Sequence, residues 1–174
     1  MKLSVIYDKL TNVIVAACTR SAATPNNGDL ELLAGDAIPV LVGTLPVAAL
    51  PVADLALLDS EIADPDTAKG PLFAPTTYVV STSPESVVAG TSAPTALTLA
   101  SAKVSATLSN AVQGKARVRI TSLQTGEVAY ANDGDVTAGT TAFSMSIAPP
   151  LAPGDYGCVL FVTGMAAAVE KQTI

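Results

Sequence analysis

Leu151-Ala152-Pro153-Gly154-Asp155-Tyr156-Gly157-Cys158-Val159-Leu160-Phe161-Val162-Thr163-Gly164 decides how the chain reads. Pro153-Gly154 is a turn step that delivers the backbone into an extended run. The period of two along a strand then places Tyr156, Cys158, Leu160 and Val162 on one face and Gly157, Val159, Phe161 and Thr163 on the other. The stretch is strand punctuation with no catalytic group in it.

The same alternation extends upstream. Ala102, Val104, Ala106 and Leu108 form an inward set against outward Ser101, Lys103, Ser105, Thr107 and Ser109. Ala116, Val118 and Ile120 oppose Lys115, Arg117, Arg119 and Thr121, and Phe143, Met145 and Ile147 alternate with Ser144 and Ser146. Val128 and Tyr130 alternate with Glu127 and Ala129 before a turn at Asn132-Asp133-Gly134-Asp135, and Ala167 to Ile174 offers a last strand. With a first strand at Thr76 to Thr82 and a loop from Ser83 to Pro94, the second half holds about seven strands in roughly 100 residues, the spacing of an antiparallel sandwich. Lys115, Arg117 and Arg119 on the 115–121 strand read as a solvated face that keeps the sheet from pairing with others, with a partner-docking stripe as the less favoured alternative.

The first half is built differently. A hairpin is predicted over residues 3–20, with its turn at Lys9-Leu10-Thr11-Asn12. Apolar segments spaced by Pro39, Pro46 and Pro51 follow, and because proline removes a ladder donor they suit edge strands or extended arms. Ile38, Val40, Val42, Leu45, Val47, Leu50, Val52 and Leu55 are more apolar surface than a small half can bury alone, so they are expected to face a partner subunit. An acidic stretch with turn residues, about 64–75, reads as a linker between domains 1–74 and 75–174. The predicted fold class is all-β: a small N-terminal β domain with Pro-spaced arms, then an antiparallel β-sandwich.

Composition narrows the function. Apolar residues make up 49%, but with 4 Tyr, 3 Phe and no Trp the core must consist of small side chains. The net charge of −6 is concentrated in residues 1–74, where four basic residues face nine acidic ones, and such a chain is repelled by nucleic acid. No His occurs, which removes the usual general base and the commonest metal ligand and excludes Ser-His-Asp and Cys-His mechanisms. The chain reads as non-enzymatic, with no cofactor implied. Asp59, Glu61, Asp64 and Asp66, with Asp54 nearby, are weak Ca²⁺ candidates that lack the order of an EF-hand loop. A solvated acidic loop fits them better.

Cys18 and Cys158 fall in different predicted domains and read as two free, buried thiols, in keeping with assembly in a reducing compartment. Val15-Ala16-Ala17-Cys18 imitates a lipoprotein cleavage box, but the apolar run ahead of it is too short for a signal segment. No run approaches the roughly 20 residues of a membrane span. The expectation is an intracellularly made, soluble product.

Leu151-x-Pro153-Gly154-x-Tyr156 ahead of a strand resembles the corner of immunoglobulin-like sandwiches. The resemblance implies an Ig-like second half in which the Tyr156 hydroxyl returns to upstream main chain. The two-part chain as a whole resembles accessory structural proteins of tailed bacteriophage particles, of the capsid decoration or cement type. That resemblance implies a virion protein, made in the host cytoplasm, whose N-terminal half binds the capsid lattice while an Ig-like domain projects outward. The partners would be the major capsid protein or other particle subunits, with homo-oligomerisation and neither nucleic acid nor membrane contacted directly. The alternative is an exported module of the bacterial cell surface serving adhesion, including a lipoprotein form through Cys18.

Overall fold

The computed structural model describes residues 2–20, 30, 35–42, 45–61, 65–109 and 111–174. The β-branched runs at the start pair as an antiparallel hairpin, β1 (Lys2–Asp8) with β2 (Ile14–Arg20). Asp8 closes the turn: its Oδ2 accepts from the Thr11 amide at 2.9 Å and from the Thr11 hydroxyl at 2.7 Å. Asn12 takes the left-handed conformation there (φ 63°), which a short polar side chain tolerates. Next come the hairpin β3 (Ala37–Val42) and β4 (Leu45–Pro51), then β5 (Leu55–Glu61), which returns to β1 and gives the sheet order β2-β1-β5. Pro39, Pro46 and Pro51 lie in the two-stranded β3–β4 ribbon, where each strand has a free edge to take the missing donor.

The stretch expected to be a linker is packed structure. A helix runs Pro65–Phe73, a 3-10 turn follows at Pro75–Thr77, and the Ala74 amide donates to the Gly70 carbonyl at 2.9 Å. Gly70 reads as a turn residue but is a packing position: a β-carbon there would fall 1.9 Å from the Tyr78 hydroxyl oxygen. The loop expected over Ser83–Pro94 contains a strand, since β6 (Tyr78–Thr82) and β7 (Glu85–Ala89) form a hairpin. Val79 bridges to Val13, and Val80 joins Leu3, Val5 and Ile14 in a small core. The segment also reaches the second half, since the Thr91 amide donates to the Gly164 carbonyl at 2.9 Å and the Ala167 amide to the Thr76 carbonyl at 2.8 Å.

Seven strands then build two facing sheets: β8 (Thr95–Ala100), β9 (Lys103–Thr107), β10 (Gly114–Ser122), β11 (Val128–Val136), β12 (Ala142–Ser146), β13 (Asp155–Val162) and β14 (Ala168–Thr173). One sheet is ordered β12-β9-β8 and the other β11-β10-β13-β14, with antiparallel neighbours. The inward sets follow the sequence alternation: Val104, Leu108, Val118, Ile120, Phe143, Ile147, Tyr156, Leu160 and Val162 are buried together, with Tyr130 and Met145 half-buried at the margin. The Tyr156 hydroxyl donates to the Ala152 carbonyl at 2.8 Å, four residues upstream, and so pins the Pro153-Gly154 turn to the strand it opens. Two element readings change. Residues 95–100 are a strand that alternation missed, and Asn132 to Asp135, expected as a turn, continue β11 with Asp133 opposite Arg117 and Asp135 opposite Lys115.

The second face of β13 carries the main correction. Val159 and Phe161 are fully buried, in one core with Val13, Val40, Val47, Leu50 and Leu55 of the N-terminal unit. Gly157 lets β4 approach directly, since a β-carbon at that position would stand 1.8 Å from the Val47 carbonyl oxygen. Of the residues expected to face a partner, Ile38, Val40, Val47, Leu50 and Leu55 are buried inside this chain and Val52 is half-buried; the side chains of Val42 and Leu45 lie outside the described residues. The surface that covers the buried side of the ribbon comes from the chain's own sandwich and first hairpin, while Leu41 stays half exposed.

Candidate functional site

Among the described residues, charged side chains cluster where β10 meets the N-terminal unit. β10 presents Arg117 and Arg119 on the face opposite the sandwich core, and the N-terminal unit meets them with Asp8 from the first hairpin and Asp54 from the 3-10 turn Val52–Asp54. Arg117 donates from Nη1 to Asp8 Oδ1, lies 3.3 Å from Asp54, and reaches Asp133 through Nε at 2.9 Å and Nη2 at 3.1 Å. Arg119 donates to Asp54 at 3.0 Å and stands 3.7 Å from Asp133. The predicted solvated face is thus a buried one at Arg117, which retains 6% of its exposure, and Asp8 retains none. Burial opposes the Arg117 charge, but hydrogen bonding to Asp133 and the charges of Asp8, Asp54 and Asp133 outweigh it, holding the guanidinium above its ordinary value.

What this arrangement can do is hold two layers together. Each carboxylate is engaged by a guanidinium, and Asp8 also accepts two hydrogen bonds from Thr11. Lys115 and Asp135 extend the ladder between β10 and β11 to the exposed edge at 2.6 Å. Such a pair, half or more in solvent, adds little to stability.

Among the described residues, an apolar groove of about 360 Å³ lies between the β2-β1-β5 sheet and β3. Ile6, Ala16, Ala17, Ile38, Pro39 and Leu57 line it, with Ser4 and Cys18 as its polar members. Strand register sets Ser4 directly between Cys18 and Asp59, and the Ser4 hydroxyl donates to Asp59 at 2.6 Å. Cys18, expected to be buried, is an exposed free thiol near the end of β2. Cys158 is also free and lies in the sandwich core, where burial and then the nearby Glu170 push its thiol up to about 12.

Most of the acidic residues singled out as cation candidates fall outside what the structure describes. Asp59 is engaged by Ser4, Asp64 lies outside the described residues, and so do the side chains of Glu61 and Asp66. Among the described residues no group of three or more carboxylate or thiol side chains could hold a metal ion, and no helix is long and apolar enough to cross a membrane. Sequence reasoning missed the seam, whose signal was the unbroken apolar run Cys158-Val159-Leu160-Phe161-Val162, a pattern that marks a strand covered on both faces. Comparison with protein-family models, curated proteins and solved structures finds no match.

Proposed function

We propose that the protein is a non-enzymatic structural component of a tailed bacteriophage particle, a capsid decoration or cement protein that displays an Ig-like sandwich. The observation that carries the structural part of this reading is the seam: the clustered charged groups, Asp8, Asp54, Arg117, Arg119 and Asp133, are used to join two β layers. The Tyr156 corner and the three-against-four sheet order support the Ig-like assignment of the sandwich. Attachment to a capsid lattice would use what the N-terminal unit still exposes, including the apolar groove, Leu41 (50% exposed) and Phe73 (85% exposed), and not the strand faces that the sandwich covers.

The alternative, an exported surface module, is weakened in its lipoprotein form by the fold itself. Cleavage ahead of Cys18 would remove β1, the central strand of its sheet, and Asp8 with it. The test is quantitative mass spectrometry of density-purified tailed particles from cells that produce this chain. The expected result is the chain at constant stoichiometry to the major capsid protein. Its recovery only in the cell-surface fraction, with purified particles lacking it, would contradict the proposal.

A further inference from the structure

The two units differ in what they need from each other. The sandwich core is drawn entirely from residues 97–174, whereas the N-terminal unit has a small core of its own around Leu3, Val5, Ile14 and Val80 and must complete a second one with Val159 and Phe161 of β13. The seam's fittings are one-sided in the same sense. Gly157 is a notch on the sandwich for the Val47 backbone, and Arg117 is already held by Asp133 of its neighbouring strand before Asp8 and Asp54 are added.

We infer that the N-terminal unit is a dependent strap: it folds only against the finished sandwich and can lift from it as a unit, uncovering the Val159 and Phe161 face, while the sandwich stays folded. Dependence runs one way because removing the strap leaves the sandwich core intact, while removing the sandwich takes two large side chains and the counter-charge of buried Asp8 from the strap. Partial opening of contiguous units below the global unfolding free energy is a general property of native proteins, and regions with few buried apolar contacts of their own sit at its low end. In synthesis order the strap emerges first, yet its fold waits for β13, so its apolar β3–β4 ribbon is available to other surfaces until the chain is nearly complete.

Native-state amide hydrogen exchange on the full-length chain tests this. In the unaltered protein the amides of β1, β3 and β4 should exchange at one shared rate, faster than those of β9 and β10. Gly157→Ala, whose added carbon meets the Val47 carbonyl and lies away from the sandwich core, should speed exchange in β1, β3 and β4 by roughly tenfold or more, with β9 and β12 changed by less than about threefold. Val5→Ala, which alters only the strap's private core, provides a second route and should give the same pattern. An equal loss of protection in both units, faster exchange in β9 and β12 than in β1, or unchanged strap protection in both variants would overturn the inference.

Discussion

The two faces of β10 and β13 make opposite demands on the same strands. Toward the sandwich interior they present Ala116, Val118, Ile120, Cys158, Leu160 and Val162, and away from it Arg117, Arg119, Gly157, Val159 and Phe161. The first face is apolar throughout and self-sufficient, so its burial follows from alternation alone. The second mixes a buried ion network, a glycine notch and two large apolar side chains, and it is buried only because another part of the chain is shaped to it. A face can therefore be as buried as a hydrophobic core while carrying two arginines, provided each charge meets a partner.

The largest effects should come from cutting the apolar half of the seam. Phe161→Ala is expected to weaken the docking of the N-terminal unit by about 3–5 kcal/mol, read as an earlier loss of that unit in chemical denaturation, while Phe143→Ala should lower the stability of the sandwich by a similar amount, because both rings are buried. A loss at position 161 below about 1 kcal/mol, typical of surface changes, would mean that the second face is open in solution. Arg117→Ala comes next, at about 3–5 kcal/mol, since it strands the fully buried Asp8 carboxylate without its counter-charge. Restoring part of that loss by adding Asp8→Asn in the same chain would show that the cost lies in the orphaned charge.

A smaller effect separates the faces by pH. Cys158 lies on the interior face with its thiol raised from 9.0 to about 12, so the folded protein keeps a proton that the unfolded chain releases. Stability should accordingly be complete below pH 9 and decline as pH rises toward 12, by about 1.4 kcal/mol at pH 10. Cys158→Ala should remove that slope, and a slope unchanged by the substitution would place the alkaline sensitivity elsewhere. In the native protein a thiol reagent should modify one cysteine per chain, Cys18, and reach the second only in denaturant. Last in size is Tyr156→Phe, which removes the hydrogen bond to Ala152 and should cost about 0.5–1.5 kcal/mol with the fold retained.

The same comparison explains what could be read in advance. The interior face of β9, β10, β12 and β13, the first hairpin and the Tyr156 corner were legible because each is a local pattern: a period of two, or a turn followed by a strand. The seam was not, because Arg117 on an outward strand position looks the same whether water or Asp8, 109 residues upstream, lies against it. The helix at Pro65–Phe73 was hidden by Gly70-Pro71, read as a turn, although Pro65 at its first position is a start signal and Gly70 is there to admit Tyr78. The apolar ribbon was correctly seen as surface in need of cover. What covers it depends on the shape of β13, which no local pattern in residues 37–55 encodes. For the candidate site, the cysteines' freedom was legible, but Cys18's exposure depends on what packs over β2, which its local sequence does not encode.

The central claim is that the apolar ribbon is covered by its own chain. It is tested most directly by isotope-filtered nuclear Overhauser spectroscopy on a sample mixing labelled and unlabelled protein, reading the contact between the Gly157 α-protons and the Val47 backbone. The account predicts a strong contact within the labelled molecule and none between labelled and unlabelled copies. A contact seen only between copies, or none at all with Val159 and Phe161 accessible to an apolar dye, would show that the ribbon is held by a partner instead.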